Sequence, residues 1–111
     1  MNPAYLRAWL VAFAFTQLIE VPLYRRVLDC SIARAFGATA LTHPVIWFLL
    51  FPFVQAGYVE KVAAAELFAV VAEALYFAPS VGLRRAAWAS FLANAVSFCL
   101  GLLSRAVLGA P

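Results

Sequence analysis

Four long apolar stretches constrain this chain more than any other feature. Residues 5–24, 33–55, 60–77 and 86–108 each run for about 18 to 24 positions with few charges, close to the roughly 20 residues that carry a helix across about 30 Å of hydrocarbon. A segment inside lipid must satisfy its own backbone hydrogen bonds, which an α-helix does within itself. The expected fold is therefore an all-α integral membrane protein, a four-transmembrane-helix bundle with short loops that takes in residues 1–111 as one domain. Composition agrees, since 67% of residues are apolar and 12% charged, against roughly a half and a quarter in soluble domains. A water-soluble fold of 111 residues could not bury so much apolar surface.

The breaks between spans are short. Arg25 and Arg26 close the first, Gly57 and Tyr58 separate the second from the third, and Pro79 with Gly82 separate the third from the fourth. Thr16, Gln17 and Glu20 interrupt the first apolar run, and no small-residue cleavage site follows it, so the first span reads as a membrane helix and not as a signal peptide. Cys30 and Cys99 lie in different segments without a CxxC partner and are expected to be free thiols.

With four spans, Arg7, Lys61 and Arg105 fall on one side of the membrane, and Arg25, Arg26, Arg34, Arg84 and Arg85 on the other. The positive-inside rule makes the first and third loops cytoplasmic and both termini external, in a bacterial inner membrane or other plasma membrane. The small basic excess is then topological. No basic stripe interleaved with aromatics exists outside the spans, so nucleic acid is not expected as a partner; the expected partners are the lipid bilayer and a second copy of the chain or another membrane protein.

The informative residues are the polar groups inside the spans: Glu20, His43, Glu66, Glu73 and Asn94. Each is costly at mid-bilayer and must face protein or water. At about 1.5 Å per residue, Glu20, His43, Glu73 and Asn94 fall in overlapping depth layers, one from each helix. Glu66 lies seven positions before Glu73 on nearly the same helix face, with Tyr76 on the same stripe, so Glu20, Glu66 and Glu73 are candidates for binding an ion or proton and His43, Asn94 and Tyr76 for their partners. Ser90, Asn94, Ser97 and Gly101 form a small-residue stripe on the fourth span, where Ser90, Ser97 and Gly101 are expected to let helices approach closely. Thr42-His43-Pro44 sets a helix breaker beside the only histidine, and the second helix is expected to kink or break at Pro44.

The length, the first-helix glutamate and the opening Met1-Asn2-Pro3 invite comparison with small multidrug-resistance transporters, but the aromatic and glycine pattern of that family's later helices is missing. An intramembrane metalloprotease would need an HExxH pair, and one histidine cannot supply it. Three functions follow from the polar layer. The favoured one is a proton- or cation-coupled carrier or channel acting as an oligomer, because four short helices are expected to enclose little volume. The alternatives are a non-catalytic subunit that docks its polar stripes against partner helices, and an intramembrane metalloenzyme with His43, Glu20 and Glu73 as ligands. No cofactor beyond that metal is implied, and a catalytic role is the less favoured reading.

Overall fold

The computed structural model describes residues 2–109, and those residues form an all-helical structure without strands. Four helices are long and apolar enough to cross a membrane: α1 (Pro3–Leu28), α2 (Ile32–Phe53), α3 (Tyr58–Val81) and α4 (Leu83–Leu108).

Their ends follow from local chemistry. The Asn2 side chain accepts a 2.8 Å hydrogen bond from the Ala4 amide, and Pro3 takes a first-turn position where its missing N–H costs nothing. Asp29 ends α1 in the left-handed region at φ 52°. Ser31 then caps α2 by accepting from the Arg34 amide at 3.1 Å. A single residue, Gly82, joins α3 to α4 at φ 90° and ψ 150°, a conformation that a side chain makes strained and glycine does not. Its amide donates to the Ala78 carbonyl at 2.8 Å. Pro79 does not break α3, because it falls in the last turn; only Gly82 does.

Of the kink or break expected at Pro44, the break does not occur. α2 runs on through Pro44 and then widens into a π turn over Ile46–Leu50, so that the Phe51 amide reaches back five residues to the Ile46 carbonyl. Proline removes one backbone donor from the ladder, and the wider turn just after it accommodates the irregularity without interrupting the helix. The π turn presents Ile46 to Ala65 and Ala69 of α3.

The helices form a four-cornered, up-and-down bundle in which α1 packs on α2 and α4, and α3 packs on α2 and α4. Alanines make the close approaches, with Ala35, Ala38, Ala86, Ala89 and Ala93 all buried. The distribution of polarity is inverted relative to a soluble bundle. Glu20, Thr39, Thr42, Glu73, Ser90 and Asn94 are buried, whereas Leu18, Leu67 and Trp88 on the outside are 77%, 66% and 68% exposed.

Candidate functional site

The site begins with residue spacing. Glu20 and Tyr24 lie four apart on α1, Thr39 and Thr42 three apart on α2, and Asn94 and Ser97 three apart on α4, so each pair shares one helix face. The bundle turns these faces and that of Glu73 toward one another. Glu73 accepts from the Tyr24 hydroxyl at 2.5 Å, the Thr42 hydroxyl at 2.7 Å and the Asn94 amide at 3.2 Å. Glu20 accepts from Thr39 at 2.7 Å and Ser97 at 2.6 Å. Five donors from three helices thus hold two carboxyls from α1 and α3, each carboxyl 1% exposed.

Two of these donors have a second acceptor. The Thr42 hydroxyl lies 3.3 Å from the Ala38 carbonyl and the Ser97 hydroxyl 3.2 Å from the Asn94 carbonyl. A hydroxyl carries one proton and can both donate and accept. When a carboxyl is ionised, the hydroxyl donates to it; when the carboxyl is protonated, the hydroxyl can rotate its proton to the backbone and accept from the carboxyl. Neither state leaves a buried polar group unpaired, which is the usual penalty for moving a proton in an apolar interior. Asn94 is fixed for its part, since its amide nitrogen also donates to the Ser90 carbonyl at 2.9 Å, and Ser90 ties α4 to α3 by donating to the Val70 carbonyl at 2.7 Å.

These carboxyls form the floor of a funnel of about 930 Å³. Phe15, Trp47 and Phe98 contribute to its walls, and Arg7, Lys61 and Arg105 stand at its mouth. Along α1, Arg7 and Glu20 are separated by about 20 Å of helix. The funnel is blind: on the far side of the floor, Tyr24 and Phe77 pack with ring centroids 4.6 Å apart among buried alanines. Arg34 donates to Ser80 and Arg85 to the Val27 carbonyl, both at 3.0 Å, and brace that end.

Of the residues singled out in the sequence, the structure brings Glu20, Glu73, Asn94 and Ser97 together. His43 is directed elsewhere. It follows Thr42 by about 100° around the helix, and its ring lies 5.5 Å from that of Phe13 and 6.0 Å from that of Trp47. It reaches the funnel wall, but its Nδ1 is buried without a hydrogen-bond partner. Tyr76 sits at the closed end, donating to the Arg34 carbonyl at 3.0 Å under that residue's guanidinium. Glu66 lines the funnel between mouth and floor. Gly101 is not at a tight helix contact: a Cβ added there would meet only Phe15 of α1, at the ordinary van der Waals distance of 3.9 Å, and both residues line the funnel. Among the described residues no three His, Cys, Asp or Glu side chains are grouped to hold a metal ion. Cys30 and Cys99 are both free thiols.

Tyr24, Thr39 and Thr42 were not anticipated as site residues. Threonine and tyrosine are common in apolar helices, and the only signal for them is their spacing relative to the acidic positions. Compared with protein-family models, with curated proteins and with solved structures, the chain matches none.

Proposed function

We propose that this chain is an integral membrane carrier that couples a solute in its funnel to a proton or cation held at the Glu20 and Glu73 floor. The observation that carries the reading is the pair of buried carboxyls at the base of an open funnel, with hydroxyl partners able to serve both protonation states. The apolar outer surface supports membrane embedding. The closed end supports a carrier over an open channel, since a carrier exposes its site to one side at a time. Loop charge puts the funnel mouth on the external side. The funnel lies within a single chain, so enclosed volume is no reason to require an oligomer; assembly as an oligomer stays part of the proposal.

The subunit alternative loses its main support, because the polar stripes that would dock partner helices face inward and are bonded within the chain.

Infrared titration of the purified protein in a lipid nanodisc tests the reading. A carboxyl band that changes between about pH 4 and pH 9, and that loses one component in Glu73→Gln and another in Glu20→Gln, supports it. No titrating carboxyl band overturns it.

A further inference from the structure

A second cavity adjoins the funnel. Between the N-terminal half of α3 and the C-terminal half of α4 runs a groove of about 700 Å³ on the outer surface. Its walls include Leu67, Val70, Phe91 and Ala95, which lie outside the funnel. Tyr58, Val62, Glu66, Phe98 and Leu102 line both cavities. The funnel therefore shares a stretch of wall with an apolar slot on the face that a bilayer would cover. Glu66 lies in that shared wall, and a carboxyl beside a lipid-facing slot is costly unless it can turn to a polar space.

The charges complete the pattern. Arg7, Lys61 and Arg105 come from α1, α3 and α4 and all line the mouth. Lys61 donates to the Phe51 carbonyl at 2.9 Å, an acceptor left over at the end of α2, and the carboxyl of neighbouring Glu60 turns back toward Gly57. Glu66, the carboxyl nearest the mouth among the funnel-lining residues, lies about 8 Å deeper along α3 than Lys61. Three cations at the rim beside a slot for hydrocarbon fit one kind of ligand: an anionic head joined to an acyl tail.

We propose that the solute is an anionic phospholipid, its phosphate held by Arg7, Lys61 and Arg105 while one acyl chain lies in the α3–α4 slot. The arrangement holds the head at the polar mouth of the funnel without drawing the tail out of the membrane. This rests on the membrane carrier reading for its setting, but it requires no protonation step.

The test uses the full chain in neutral detergent with Trp9→Phe and Trp88→Phe, which leaves Trp47 on the funnel wall as the sole tryptophan. Phosphatidylglycerol with brominated chains is titrated against phosphatidylcholine with the same chains. The expected result is saturable quenching at one lipid per chain, half-complete at a concentration at least tenfold lower for phosphatidylglycerol. Arg7→Gln with Arg105→Gln should erase that preference, whereas Arg7→Lys with Arg105→Lys should keep most of it, which separates loss of charge from loss of fold. Ala95→Phe, which fills the slot without touching the funnel, should weaken quenching by both lipids. Equal quenching by the two lipids overturns the proposal. So does displacement by glycerol phosphate at the lipid's own concentration, which would mark a free phosphate site, or cross-linking of Ala63→Cys between two chains, which would mark the slot as a dimer interface. Failure here with a normal infrared titration removes the lipid and leaves the coupled carrier; the reverse outcome removes the coupling and leaves the lipid site.

Discussion

Tyr24 on α1 reaches across the diagonal of the bundle to donate to Glu73 on α3 at 2.5 Å, while its ring packs on Phe77. One side chain thereby joins the polar floor to the apolar plug beneath it. Tyr24→Phe keeps the plug and removes the donor, so it should cost about 1 to 3 kcal/mol of unfolding free energy, the range for leaving a buried acceptor short of a partner. Tyr24→Ala should cost about 3 to 5 kcal/mol because it also opens a cavity. Denaturant unfolding in mixed micelles measures both, and equal losses would mean that only the hydroxyl matters.

The two-acceptor hydroxyl at Thr42 makes a separate prediction. Thr42→Ser keeps the hydroxyl between Glu73 and the Ala38 carbonyl, whereas Thr42→Val keeps the shape and loses it. The valine variant should lose about 1 to 2 kcal/mol in the native background and close to nothing in a Glu73→Met background, since coupled residues depart from additivity. An equal loss in both backgrounds would show that Thr42 does not act through Glu73.

Gly37 and Tyr76 form a tight pair at the closed end, where a Cβ on Gly37 would sit 2.5 Å from the Tyr76 hydroxyl oxygen. Gly37→Ala should destabilise the bundle by about 1 to 3 kcal/mol through overpacking. Adding Tyr76→Phe should restore most of that loss, because the clash is with a terminal atom that phenylalanine lacks. Thermal unfolding of the single and double variants decides it, and a double variant no better than Gly37→Ala would place the strain in the backbone.

Gly101 separates a packing role from a cavity role. The small-residue stripe led to the expectation of a close helix contact, but the position borders the funnel with nothing nearer than 3.9 Å to a built Cβ. Gly101→Ala should therefore change stability by no more than about 0.5 to 1 kcal/mol, and the larger Gly101→Leu should obstruct ligand access to the floor. A loss of several kcal/mol would return Gly101 to the helix interface.

The one-residue link at Gly82 should tolerate no side chain without cost. Gly82→Ala places a Cβ at φ 90° and should lose about 1 to 2 kcal/mol, although open space surrounds the position. A neutral result would mean that the link relaxes to another conformation. Accessibility labelling of introduced cysteines in residues 25–34 and 82–85 should find both segments on one membrane face, as the alternating helix directions require; labelling from opposite faces would remove the four-span insertion.

Much of the architecture was determined by residues acting within a few positions of one another. Helix number and approximate span limits follow from the length of uninterrupted apolar runs, and Asn2, Ser31 and Gly82 mark the helix ends by chemistry that operates within one turn. The depth of Glu20, Glu73 and Asn94 was legible for the same reason, because rise per residue is constant along a helix. Rotation about each helix axis was not, since it is set by how alanine faces nest against neighbouring helices. That rotation turned Thr42 toward Glu73 and His43 toward Phe13, although the two are adjacent in sequence. It also turned Tyr76 to the closed end and Gly101 to the funnel. The course of the chain past Pro44 was decided by tertiary contact as well: a proline permits a break, a kink or a π turn, and the packing of Ile46 on Ala65 and Ala69 accompanies the last. Where the polar groups lie along each helix axis is a property of the sequence; which of them touch is a property of the packed bundle.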